Sequence, residues 1–290
     1  MPDATLALTD DSTGTLTLGG DLRVRRLGFG AMRITGEGVW GEPADQDGAI
    51  AVLRRAVELG INLIDTADSY GPDVSESLIA EALHPYPEGL VIATKGGFLR
   101  DGPGQWRPDG RPEHLREACE GSLRRLRRDQ IDLYQLHRPD PDVPYEESVG
   151  AMVELQREGK VRHIGVSNVR IAQLDQALEL AEVVSVQNRF NLTDRRTEEV
   201  LDACAQRGIA FIPWFPLATG SLARPGTALD EIASSHDSAP SQIALAWLLR
   251  RSEAMLPIPG TSSVEHLDEN VAAAGIELSD EDMEALARAA

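Results

Sequence analysis

Cysteine is scarce in this 290-residue chain: there are two, Cys119 and Cys204, far apart and neither in a C-x-x-C pair. That leaves no disulfide framework and no thiolate metal cluster to read. Basic residues are also in short supply, with 28 Lys and Arg against 47 Asp and Glu, a net charge of −19. Such an acidic envelope repels phosphate backbones and anionic lipid, so neither nucleic acid nor a membrane surface is expected as a partner. No run approaches the ~18 apolar residues of a membrane span. The first residues lack the basic and apolar regions of a secretory signal. No G-x-G-x-x-G opens a helix after the first strand, which removes the usual mark of a doubly wound dinucleotide fold. What is present is balanced: 42% hydrophobic and 26% charged residues, enough to bury a core without a structural metal. A reduced, cytoplasmic protein is expected, monomeric or weakly self-associating. Residues 1–13 are expected to be loosely ordered.

Two short alternating runs, 15–18 and 22–25, flank Gly19-Gly20-Asp21 and read as a β-hairpin. Beyond it the texture is uniform. Apolar runs at 27–32, 62–65, 90–95, 131–137, 161–168, 183–188, 210–217 and 255–260 alternate with helical patterns near 45–59, 75–83, 113–127, 146–158, 171–181, 195–207, 240–251 and 264–274. Asp45, Ser75 and Pro112 read as helix starts, and Gly60, Gly159 and Gly208 as helix ends. Strands apolar on both faces, separated by helices, imply parallel βαβ units with right-handed crossovers. Eight of each close into a (β/α)8 TIM barrel. No linker or low-complexity segment divides the chain, so residues 1–290 are expected to form one domain with the hairpin at the barrel's bottom.

Barrel sites gather where the strands end. Leu63 and Asp65 share one face of the second strand, Val91, Ala93 and Lys95 one face of the third, and Leu133, Gln135 and His137 one face of the fourth. Three neighbouring strands thus end in a carboxylate, an ammonium and an imidazole. Singly, each has an ordinary explanation as a cap, a snorkelling cation or a core histidine. Together they are harder to dismiss, because a buried lysine needs an anion beside it. Tyr70 follows on the next loop. An ammonium nearby favours its phenolate and is expected to pull its pKa below the usual 10 or so, so that it can hand a proton to a developing alkoxide. A neutral His137 can polarise a carbonyl. None of these groups supplies a hydride, so a reduction needs a cofactor.

The segments Asn62-Leu63-Ile64-Asp65-Thr66-Ala67-Asp68-Ser69-Tyr70-Gly71, Thr94-Lys95, Leu136-His137 and Ile164-Gly165-Val166-Ser167-Asn168, in this order, resemble the aldo-keto reductases. The resemblance extends from about Leu27 to Asn270 and, within the family, is strongest to the bacterial branch containing pyridoxal reductases. It implies the barrel with its bottom hairpin, an Asp65, Tyr70, Lys95 and His137 tetrad, and an extended nicotinamide cofactor. By position it places Gly30, Ala31 and Met32 beside the nicotinamide, and Ser167, Asn168 and Gln187 on its carboxamide. Trp214 falls where the family usually stacks a tyrosine. Phe215, Pro216, Leu217, Gly220 and Ser221 are implied near the pyrophosphate, and Pro259, Gly260, Thr261, Ser262, His266, Glu269 and Asn270 around the adenosine phosphate. Gly260 and His266 stand where NADPH-specific members often carry Lys and Arg, yet no carboxylate waits for a ribose 2′-hydroxyl, so NADPH is favoured over NADH. Trp40 and Trp106, on the loops after the first and third strands, are candidate walls for a flat aromatic aldehyde. The long C-terminal lid of steroid-reducing members is missing from the pattern, which predicts an open pocket. No metal is expected. The expected activity is reduction of an aldehyde or ketone, with pyridoxal as one candidate. The alternatives are a cofactor-binding sensor with little turnover and a Schiff-base aldolase using Lys95 as nucleophile.

Overall fold

A computed structural model describes residues 7–217 and 227–289. β1 (Thr15–Leu18) and β2 (Leu22–Arg25) form the expected antiparallel hairpin. Gly19 and Gly20 make its turn at φ +57° and +80°, values that suit glycine. Then come β3 (Phe29–Gly30), β4 (Leu63–Asp65) and β5 (Val91–Gly96), followed by a second hairpin, β6 (Phe98–Gly102) and β7 (Gln105–Pro108). β8 (Ile131–Leu136), β9 (Val161–Ser167), β10 (Val183–Arg189) and β11 (Ala210–Trp214) complete the strands. β3, β4, β5, β8, β9, β10 and β11 lie side by side in that order, all parallel.

The eighth place in the ring belongs to residues 255–260. Pro257 and Pro259 have no N–H, so this segment accepts hydrogen bonds along one edge without donating them. Gly28 donates to the Pro257 carbonyl (2.9 Å) and Gly30 to that of Pro259 (3.4 Å), while on the other edge Leu256 donates to Phe211 (2.8 Å). The barrel therefore closes, and the (β/α)8 architecture is as expected.

Alternation along the strands sorts the core into layers. Leu63, Val91, Ala93, Leu133, Ile212 and Ile258 fill the interior, with Leu18, Leu22 and Val24 of the first hairpin closing it from below. Asp21 of that hairpin pairs with Arg162 and His163 of β9, both at 2.6 Å. Their neighbours point outward: Ile64 and Ile92 pack with α2 (Gln46–Glu58) and α3 (Val74–Leu83). Tyr134, Leu136 and Phe211 pack with the helices beyond, among them α4 (Pro112–Leu126) and α5 (Tyr145–Arg157). Fully burying each of the Val, Leu, Ile and Phe side chains among these contributes about 1.5–3 kcal/mol.

Several elements differ from the expectation. The first strand is only two residues long and passes into a 3-10 turn over Ala31–Ile34. Ser75 does not cap its helix. Asp73 holds that place, and the Ser75 hydroxyl, inside the first turn, donates to the Ala31 carbonyl (3.1 Å). The β6–β7 hairpin lies in a segment expected to be loop. Within residues 7–13, Leu8 is buried and donates its N–H to the Leu59 carbonyl (2.8 Å), and Asp10–Thr13 form a short helix capped by Thr9.

Candidate active site

Asp65, Lys95, His137 and Gln187 lie at or close to the C-terminal ends of their strands, at the same mouth. The Lys95 ammonium is fully buried and donates to Asp65 Oδ2 (2.6 Å) and to the Thr66 carbonyl (2.7 Å). The other oxygen of Asp65 accepts from the side-chain amides of Gln135 (3.1 Å) and Gln187 (2.8 Å). Thus the carboxylate has donors on both oxygens, which makes its burial tolerable. Burial alone would depress the Lys95 ammonium, but Asp65 and Tyr70 outweigh it and hold its pKa above the ordinary value. Lys95 is a cation at neutral pH and a poor nucleophile.

Tyr70 lies with its ring centre 5.2 Å from Lys95 Nζ and 5.8 Å from the His137 ring. Its pKa is not lowered as expected. Burial disfavours the phenolate more than Lys95 favours it, and Asp65 and Asp68 add to the effect, so Tyr70 holds its proton above the usual tyrosine range. His137 is driven well below the usual histidine range, first by burial and then by Lys95, Arg138 and Arg100. It is a neutral imidazole, with Nδ1 3.5 Å from the Ser69 hydroxyl. The mouth therefore presents a protonated phenol, a neutral imidazole and a buried ammonium.

Beside the tetrad runs a chain of amides. Ser167 Oγ donates to the Gln187 carbonyl (2.7 Å), and Asn168 Nδ2 donates to Ser167 Oγ (2.9 Å) and to the His137 carbonyl (3.0 Å). The Trp214 indole N–H donates to Asn168 Oδ1 (3.1 Å). Strand alternation does not place Asn168 here, since Val166 packs outward. The turn does so: Asn168 has φ +59°, a left-handed conformation that asparagine tolerates, and this swings its amide over the mouth. Phe215 also has φ +61°, and its carbonyl accepts from Asn191 (3.0 Å). Pro216 is buried and Leu217 half-buried. Gly220 and Ser221 lie outside the described residues.

Gly30 and Gly260 face one another across the closing seam. A Cβ on Gly260 would stand 2.4 Å from the Gly30 carbonyl oxygen, and one on Gly30 2.6 Å from that of Ile258. A lysine has no room at 260 without moving that backbone. Arg33 lies alongside, its Cγ 3.6 Å from the same Cβ position, and sequence reasoning passed it over. Ala31 is fully buried and Met32 half-buried; Pro259 and Thr261 are buried, while Ser262, His266 and Glu269 are exposed and Asn270 is buried. Thr261 and Ser262 lead into the helix Val264–Ala272, which is capped by Ser263, with His266 in its first turn and Glu269 and Asn270 in its last. Ser263 also donates to Glu265 (2.7 Å), a carboxylate in that first turn.

The β6–β7 hairpin sets Trp106 and Phe98 against the mouth. Trp106 meets Tyr70 (6.2 Å between ring centres), His137 (6.4 Å) and Phe98 (5.5 Å), and Phe98 meets His137 at 4.6 Å. Arg100 stacks on Trp106 at 3.6 Å and donates to the carbonyls of Val39 (2.8 Å), Ser69 (2.7 Å) and Gly38 (3.0 Å). Trp40 lies 5.6 Å from the Arg100 guanidinium, is 36% exposed, and makes no ring contact with the tetrad. Of the two tryptophans, the structure brings Trp106 to the site. Phe98 was missed. Its signal was the alternation around Gly102-Pro103-Gly104.

Residues 26–290 match the model of the aldo/keto reductase family. The chain belongs to that family. It is 55% identical over 278 residues to an uncharacterized oxidoreductase of Schizosaccharomyces pombe, covering 96% of this chain and 90% of that protein. It is 45% identical over 276 residues to the pyridoxine 4-dehydrogenase of Escherichia coli, covering 93% and 96%. Among solved structures, an aldo-keto reductase from Klebsiella pneumoniae in complex with NADPH superposes with a TM-score of 0.80 at 30% identity, covering 94% of each chain. The chain is thus an oxidoreductase of the aldo/keto reductase type.

Proposed function

We propose that the protein reduces aromatic aldehydes, pyridoxal among them, with NADPH, and that Tyr70 delivers the proton. The residues present fit such a cofactor. Ser167, Asn168 and Gln187 offer the alternating donors and acceptors a carboxamide needs, and the Gln187 side-chain oxygen accepts no hydrogen bond among the described residues. Trp214 supplies a half-buried ring beside them. The side-chain-free seam of Gly30 and Gly260, with Arg33 at its edge, suits a pyrophosphate or phosphate approaching backbone. When bound, the nicotinamide supplies the hydride. His137, neutral, positions the carbonyl oxygen near Tyr70, and Tyr70, still protonated, gives its hydroxyl proton to that oxygen as negative charge develops there. Lys95, fixed by Asp65, stabilises the phenolate left behind. Gln135 and Gln187 hold Asp65 in place.

The observation that carries this reading is the joint burial of Asp65, Lys95, Tyr70 and His137 in hydrogen-bonded or ring contact at one strand-end mouth. The family match and the similarity to a pyridoxine dehydrogenase support the reaction class and the choice of substrate. Purified protein mixed with pyridoxal or benzaldehyde is expected to oxidise NADPH, and NADH more slowly. No oxidation of either nucleotide with any aldehyde overturns the proposal. Both cysteines are buried and free, which suits work in a reducing, cytoplasmic compartment.

A further inference from the structure

Nearly every cation around the mouth is already engaged. Lys95 belongs to Asp65, Arg100 to five carbonyls besides Trp106, Arg107 to Asp101 and Arg111 to Asp109. Arg138 is different. It follows His137 directly at the end of β8, it is exposed, and among the described residues it has neither an ion-pair nor a hydrogen-bond partner. The nearest acid in sequence does not serve it: Asp140 spends its two oxygens on the backbone amides of Gly110 (2.8 Å) and Asp142 (2.9 Å). The Arg138 guanidinium lies 5.9 Å from the Phe98 ring centre, on a ring that itself touches His137. It is also one of the charges that help keep His137 neutral. In a chain with a net charge of −19, an unpaired arginine at a catalytic mouth is a local reversal of the field.

We propose that Arg138 selects carbonyl substrates carrying an anionic group, a carboxylate or a phosphate, on the side of the ring opposite the reacting carbonyl. This rests on the reductase reading. With the carbonyl oxygen between Tyr70 and His137, a flat substrate extends along Phe98 and Trp106, and its far substituent points toward Arg138. A guanidinium there offers the paired donors that fit both anions.

The test compares 4-carboxybenzaldehyde with its uncharged methyl ester in wild type, Arg138→Gln and Arg138→Lys. Wild type is expected to favour the carboxylate in kcat/KM, chiefly through KM. Arg138→Gln should shift that ratio roughly tenfold toward the ester, with Arg138→Lys between them. The ratio in wild type should also fall as salt is raised. A ratio the same in all three proteins overturns the proposal. Binding of both aldehydes to the protein with NADP+, followed by quenching of tryptophan fluorescence, gives a readout without turnover. No turnover of either aldehyde, with binding that still depends on Arg138, sinks the reductase reading and leaves the anion site standing. Binding indifferent to Arg138 removes the anion site as well.

Discussion

Asp68 shows how the site's neighbourhood is held at the scale of single residues. Its carboxyl is buried, one oxygen has no partner, and Glu76, fully buried, lies near it with Arg125 and Thr94 as its own partners. Burial first, and then Glu76, push Asp68 up from 3.8 to about 8. Folded protein therefore keeps a proton there that the unfolded chain releases near its ordinary value, and stability falls as pH rises between those two values. Asp68→Asn mimics the protonated form. It should be more stable than wild type by a margin that is small near pH 4 and grows to a plateau above pH 8 or so, roughly 6 kcal/mol at most. Urea unfolding at acid, neutral and mildly alkaline pH measures this; a margin independent of pH contradicts it. Asp65 and Lys95 are the opposite case, a pair whose charges are mutually satisfied. Breaking it strands the partner, at about 3–5 kcal/mol.

At the scale of elements, the β6–β7 hairpin is tied to the rest of the mouth by Arg100, whose donors reach Gly38, Val39 and Ser69, next to Tyr70. Arg100→Ala should raise KM for aromatic aldehydes severalfold, with a loss of stability of about 1–3 kcal/mol from carbonyls left without their donor. Unchanged KM with lowered stability contradicts a role for the hairpin in the pocket. This hairpin is also where sequence reading failed. The barrel strands were legible because alternation between interior and outer layers leaves a stripe, and Asp65, Lys95 and His137 interrupt three such stripes at their ends. The hairpin buries little, so its alternation of Phe98, Arg100 and Trp106 was overshadowed by glycine and proline. Ser75 was misread because its hydroxyl serves Ala31 and Thr66 and not the helix end. The closing segment was located correctly, although two prolines keep it from pairing as a regular strand. Asn168 reached the mouth through a left-handed turn that no periodicity reveals.

For the whole molecule, the two ends of the barrel do different work. The bottom is closed by a hairpin, apolar inside and ion-paired to β9. The top carries the polar strand ends, the aromatic hairpin and the arginines Arg33 and Arg138, which have no ion-pair partner among the described residues, set against a strongly acidic overall charge. No helix among the described residues is long and apolar enough to cross a membrane. Family membership, closure of the barrel and the joint burial of Asp65, Lys95, Tyr70 and His137 support the proposal that Tyr70 gives its proton to a carbonyl oxygen during reduction. Tyr70→Phe tests it most directly, because it removes one oxygen and leaves the ring that packs on Trp106 and His137. With NADPH and benzaldehyde, kcat should fall by about 10²–10⁴-fold, while NADPH still quenches tryptophan fluorescence with wild-type affinity. A variant that turns over at the wild-type rate contradicts the account.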